Sequence, residues 1–298
     1  MNKKIVFFGN EQLAQGLGRP FTPTFDILLA KNYQITAIVL PEDPAKNTIS
    51  RKKKTPMIIE KANQHHIPLI FANTTPNLAE ILANLNAEIG ILSSFGKIVT
   101  QSIIDIFPNG ILNVHPSLLP KYRGTTPIET AILNGDKTVG VSVMKLVAKM
   151  DAGVIYAQRK IEIGKDNTKD EIYEKLATAG AEMTNQVLND FDEIIPTKQD
   201  ETKATYTQKL NKELSILKPQ EKTAKRLHNE VRAYLGFPKS KLSISGVNCT
   251  ITLTHVATQP QTEIDPKCQD GNYLIIDRLI PEGRKEMTAT DFINGRHR

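Results

Sequence analysis

At 298 residues, with 40% hydrophobic and 23% charged residues, the chain has the balance of a globular protein and length enough for two domains. No apolar run approaches the roughly 20 residues of a membrane helix, which argues against a membrane protein. The net charge of +6 is segmental: 22 basic and 22 acidic residues balance through Thr202, whereas Lys203 to Arg298 holds 16 against 10. Such an excess points to a polyanionic partner such as nucleic acid, or to a merely solvated basic surface.

The opening "KKIVFFGN" reads as a buried strand, its apolar run being too short for a signal segment. A helix is expected around "PTFDILLAKN", a strand at "YQITAIVLPED", a helix at "PMIIEKANQHH" and a short strand at "IPLIFA". A helix at "NLAEILANLN" and a strand at "AEIGILSSFG" come next. This alternation predicts a parallel α/β sheet that binds ligands beyond the carboxyl ends of its strands. "VGVSVMKLV" and "VIYAQRKIEI" read as paired strands around "MDAG", and "TKDEIYEKLATAGAEMTNQVLNDF" as a long amphipathic helix capped by Thr168. The polar "DEIIPTKQDETKATYTQKL" contains the expected linker, so the predicted domains are 1–195 and 207–298, joined by 196–206. Beyond it come a helix at "EKTAKRLHNEVRAYL", β-like runs at "KLSISG", "NCTITLTHVA" and "GNYLIIDRLI", and a helical turn near "MTATDFINGR". Short strands in so small a unit suggest a barrel or sandwich.

The most informative stretch is "ILNVHPSLLPKYRG". Side chains alternate on a strand, so Asn113 and His115 emerge on one face, and Pro116 and Pro120 stiffen the adjoining loop. An amide and an imidazole held together at a strand end suit chemistry, though a core could also use them. Asp151, in "MDAG", is either a local turn cap or a carboxylate that orients His115. The run Arg51, Lys52, Lys53 and Lys54 is either a solvated loop or a phosphate contact beside the site. After Gly9 the chain reads "NEQLAQG", without the glycines of a dinucleotide site. No metal-binding motif is present, and Cys249 and Cys268 stand at no metal or disulfide spacing, so a reducing cytoplasm is expected. The other histidines, at 65, 66, 228, 255 and 297, read as structural or surface residues.

The stretch "NVHPSLLPKYRGTTPIETAILNGDKTVGVSVMKLVAKMDAG" resembles the signature of the 10-formyltetrahydrofolate-dependent formyltransferases. Its N-x-H, S-L-L-P, R-G-x-x-P and D-[AT]-G elements occur in the family's order. "TYTQKL", "LHNEVRAYLGFP" and "MTATDFINGRH" are similar to C-terminal landmarks of the branch that acts on tRNA. The resemblance implies a Rossmann-like catalytic domain followed by an OB-like barrel. It also implies 10-formyltetrahydrofolate as formyl donor without a metal, and the methionyl-initiator tRNA as acceptor for translation initiation. Asn113, His115 and Asp151 match the family's catalytic residues. Ser117, Leu118, Leu119 and Pro120 match its folate-binding loop, and Phe95, Gly96, Lys97 and Ile98 the strand end bordering the pterin. Arg51 to Lys54 fall in its tRNA-contacting loop, although that loop here lacks the family's glycine-rich form. A cytoplasmic monomer is expected. A sugar-nucleotide N-formyltransferase is the alternative enzyme, and an RNA-binding module on an inactive α/β fold the alternative of another class.

Overall fold

The computed structural model describes residues 3–11, 21–43 and 56–295. The chain forms two compact units. One comprises Met1–Thr125, Val139–Ile161 and Tyr173–Tyr206, and the other Thr126–Thr138, Glu162–Ile172 and Thr207–Arg298.

The first unit is built on a seven-stranded sheet. Its strands are β1 (Lys4–Phe8), β2 (Gln34–Leu40), β3 (Leu69–Phe71), β4 (Ile89–Leu92), β5 (Ile111–His115), β6 (Thr138–Lys145) and β7 (Ile155–Glu162). Their spatial order is β3-β2-β1-β4-β5-β6-β7, parallel from β3 through β5, with β6 antiparallel to β5. Ile5, Val6, Phe7 and Phe8 are all buried, as a central parallel strand covered on both faces requires. Helices α1 (Pro23–Ala30), α2 (Met57–Gln64) and α3 (Leu78–Asn84) make the crossovers, as the alternating pattern predicts.

The strand order reverses between β1 and β4, and a crevice opens beyond the carboxyl ends of strands at such a point. Gly9 closes β1 there. Its φ is +119°, and a Cβ would stand 1.9 Å from the carbonyl oxygen of Ser93, so only glycine fits. Two short helices, α4 (Gln101–Ile104) and α5 (Pro127–Asn134), escaped the sequence reading. For α5 the signals were present: Pro127 in the first turn and a left-handed Gly135 just past the end. The long helix α6 (Lys169–Asn189) begins with a reciprocal cap. Thr168 Oγ1 accepts from the Glu171 N–H, and the Glu171 carboxylate accepts from the Thr168 N–H.

The second unit contains a separate four-stranded antiparallel sheet. It runs β11-β10-β9-β8, from β8 (Ser240–Ile244), β9 (Val247–Ala257), β10 (Tyr273–Pro281) and β11 (Met287–Thr288). Helices α7 (Ala224–Ala233) and α8 (Ala289–Asn294) complete its core, in which Leu227, Val231 and Phe292 meet Ile251, Leu274 and Leu279. The polar side of α7 gathers the unit's other segments through main-chain carbonyls. Arg226 donates to Leu133 O, and Arg232 to Asn167 O and the Asn229 amide oxygen. His228 is buried with Nδ1 3.0 Å from Thr254 Oγ1, and its burial pushes its pKa down. No helix among the described residues is long and apolar enough to cross a membrane.

Candidate active site

Strand β5 pairs with β4 through Leu92↔Asn113 and with β6 through Ser142↔His115. Strand alternation puts Asn113 and His115 on one face. Both are buried, at 7% and 5% exposure. Among the described residues the Asn113 side-chain amide makes no hydrogen bond.

The His115 ring lies between two acceptors. Nε2 is 3.0 Å from the carbonyl oxygen of Tyr122, and since a carbonyl only accepts, Nε2 carries a proton. Nδ1 faces Asp151 Oδ2 at 3.7 Å, beyond hydrogen-bond length but within reach of an ion pair. A protonated ring would donate from Nε2 to Tyr122 O and carry its charge beside Asp151. Asp151 is therefore beside His115, and its Oδ2 also accepts from the Gly124 N–H at 2.7 Å, so one carboxylate spans the turn and the loop. Asp151 itself has φ +47°. Two residues on, a Cβ on Gly153 would lie 1.8 Å from the Lys145 carbonyl oxygen, which explains the D-x-G spacing: the turn presses against the end of β6.

The Ser117–Pro120 loop is seated on β6 and β7. Ser142 Oγ donates to Ser117 O at 2.6 Å and accepts from the Leu119 N–H at 3.2 Å. Gln158 Nε2 donates to Leu119 O at 2.8 Å and to Ser142 Oγ at 2.9 Å. Leu118 packs over Gly140, where a Cβ would come within 2.3 Å of its Cδ2. Sequence reasoning missed Ser142, Gln158 and Tyr122. Ser142 was findable as the lone hydroxyl in the apolar run "VGVSVM"; Tyr122 acts through its backbone and gives no signal.

Phe95 to Ile98 lie just beyond β4, and Phe95, Lys97 and Ile98, though not Gly96, border a cavity of about 180 Å³, shared with Phe8, Leu78 and Val99. Phe95 meets Phe8 edge-on at 5.8 Å, Lys97 stands 3.5 Å from the Glu42 carboxylate, and Ile98 is 93% exposed. Asn113, His115, Asp151 and the Ser117–Pro120 loop do not line this cavity. Arg51, Lys52, Lys53 and Lys54 lie outside the described residues. Among the described residues no group of three His, Cys, Asp or Glu side chains is arranged to hold a metal ion.

Glu11 sits where a nucleotide phosphate would bind in a dinucleotide fold. Its carboxylate accepts from the N–H groups of Thr24 and Phe25 at the start of α1 and from Ser93 Oγ. Burial raises its pKa. The chain's own carboxylate thus occupies that helix N-terminus, in keeping with the missing glycine fingerprint.

A family model described as formyl transferase matches residues 6–188. The methionyl-tRNA formyltransferase of Enterococcus faecalis is 32% identical over 311 residues, covering 98% of this chain and 96% of its own length. Among solved structures, the N-formyltransferase from Helicobacter canadensis, in complex with folinic acid and dTDP-3-aminofucose, gives a TM-score of 0.65 at 20% identity, over 93% of this chain and 99% of that one. HypX from Aquifex aeolicus, in complex with tetrahydrofolic acid, gives 0.63 at 15% identity and covers 98% of this chain, which spans 47% of HypX, about half its length. The two solved structures share the fold. With most of the first unit matched by the model and a relative alignable from end to end, the chain belongs to the formyl transferase family.

Proposed function

We propose that this chain transfers the formyl group of 10-formyltetrahydrofolate to the α-amine of methionyl-initiator tRNA, with Asn113, His115 and Asp151 as its catalytic side chains. The observation that carries the reading is the His115 ring, set between Tyr122 O and Asp151 and on the same strand face as Asn113, whose amide makes no hydrogen bond among the described residues. The donor supplies a formyl group already activated as an N-aryl amide. An Asn113 N–H, and the Nδ1–H of a protonated His115, which at 3.7 Å makes no hydrogen bond to Asp151, are donors of the kind that stabilise charge developing on a carbonyl oxygen. Asp151 balances the imidazolium and, through water, can take up the proton an attacking amine must lose. Ser117 to Pro120 and Phe95 to Ile98 form the folate site in this reading. The apolar Phe8, Phe95 and Ile98 are suited to a flat heterocycle, and the Ser142 and Gln158 bonds fix the loop.

Residues 1–195 form the catalytic domain in this proposal, 196–206 connect it onward, and 207–298 form an OB-like tRNA-binding domain. The four-stranded antiparallel sheet with its helix and the basic excess beyond Thr202 support that role. The enzyme is proposed to work as a cytoplasmic monomer. The deciding experiment offers 10-formyltetrahydrofolate with methionyl-tRNA in one reaction and amino-sugar nucleotides in another. Formylation of the tRNA alone is expected, and formylation of the sugar amine alone would overturn the assignment.

Arg51 to Lys54 are proposed to touch tRNA phosphates. Replacing all four with alanine should weaken tRNA binding and flatten its log–log salt dependence by up to about 3, while folate affinity stays unchanged. Filter binding across a salt series checks this, and an unaltered slope returns the run to a solvated loop.

A further inference from the structure

We propose that residues 197–206, within the stretch that reads as a linker, are a positioning strap for the catalytic groups, with Gln199 and Thr205 as its positioning residues. The inference rests on the proposed function and extends it to side chains outside the matched motif. The strap starts on β7, where Thr197 and Ile155 exchange both backbone hydrogen bonds at 2.8 Å. Gln199 then uses its whole amide. Nε2 donates to the carbonyl oxygens of Asp151 and Gly153, at 2.7 and 2.8 Å, and so grips both sides of the turn that aims Asp151 at His115. Oε1 accepts from Arg123 Nε and Nη2, at 3.2 and 2.7 Å.

Arg123 is wholly buried, so its charge must be met inside the protein. Glu201 meets it with both carboxylate oxygens, at 3.1 and 2.8 Å, and Tyr206 OH accepts a further bond at 3.2 Å. Hydrogen bonds from Arg123 and Lys149 hold the Glu201 carboxyl down to about 2, so the bridge stays charged at neutral pH.

Thr205 makes the second grip. Its N–H donates to Pro120 O at 3.2 Å, its carbonyl accepts from the Arg123 N–H at 2.8 Å, and its Oγ1 accepts from the Tyr122 N–H at 2.8 Å. Tyr122 has φ +62°, a left-handed conformation a tyrosine keeps only when its surroundings over-determine it. That conformation presents the Tyr122 carbonyl to His115 Nε2. The two left-handed residues Tyr122 and Asp151 flank the imidazole, and one segment holds both.

Three substitutions in the full-length chain test the strap. Gln199→Ala removes the grip on the Asp151 turn. Thr205→Val removes only the hydroxyl, and Thr205→Ser restores it. For Gln199→Ala and Thr205→Val, single-turnover formyl transfer should slow by roughly 10- to 100-fold, the cost of a misplaced reacting group. Folate affinity should stay within about threefold, and Thr205→Ser should recover the parent rate. The His115 imidazole ¹H–¹⁵N resonances supply a readout that needs no acceptor: they should shift in Gln199→Ala and Thr205→Val and return in Thr205→Ser. Parent-like rates and resonances in Gln199→Ala and Thr205→Val would overturn the strap, as would an equal loss in Thr205→Ser. A parent protein that formylates no methionyl-tRNA would instead overturn the proposed function, with the resonances still deciding the strap.

Discussion

Replacing Asn113 with alanine is expected to slow the formyl-transfer step by roughly 10²–10³, the usual consequence of removing one oxyanion donor. The expectation comes from position and from the side chain's free valences. Asn113 lies on the same strand face as His115, is buried, and spends no side-chain hydrogen bond on any described residue. A buried amide without a protein partner is costly unless a ligand uses it. If it were only filling space, alanine would leave a small cavity and cost stability rather than rate. Single-turnover kinetics with saturating donor, together with a thermal melt, separate the two. A slow variant with a parent-like melting temperature supports an oxyanion role, and a rate within threefold of the parent with a lowered melting temperature returns Asn113 to packing.

Most of the scaffold around this site was legible in the sequence because its signals are local. The buried runs of β1, β2, β4 and β5 and the alternating "LNVH" each state their own conformation. The helix signals of α6 do the same through Thr168 and Glu171. The two units were harder to foresee. Residues 126–138 and 162–172 belong to the unit of the C-terminal sheet, held there by Arg226 and Arg232 of α7, and nothing in either segment's own pattern names a partner so far along the chain.

The same holds within the site. N-x-H and D-x-G could be read because each element carries its own residue pattern, but the groups that aim them could not. Tyr122 contributes a carbonyl, Thr205 a hydroxyl and two backbone groups, and Gln199 an amide in a stretch whose polar composition reads as a connector. Positions that act through the main chain leave almost no trace in residue type. The change of charge balance after Thr202 falls between Gln199 and Thr205, and so in the middle of the strap.

Asp151→Asn is expected to leave the fold intact and lower the rate by roughly 10²–10⁴, the range over which a positioned acid or base contributes. An asparagine side chain can keep the one structural bond the carboxylate makes, because its Oδ1 can accept from the Gly124 N–H as Oδ2 does at 2.7 Å. The turn should therefore hold, anchored also by Gln199 through the Asp151 and Gly153 carbonyls. The amide cannot supply negative charge 3.7 Å from His115 Nδ1. Without it the imidazolium loses its counter-charge in a buried setting, and the proton released by the amine loses its acceptor. Asp151→Ala should lose the Gly124 bond as well and melt lower than Asp151→Asn, although both should be similarly slow. Circular dichroism melts and single-turnover rates for the pair make the test. If Asp151→Asn turns over within tenfold of the parent, the carboxylate is a turn cap and the charge beside His115 plays no part in the transfer.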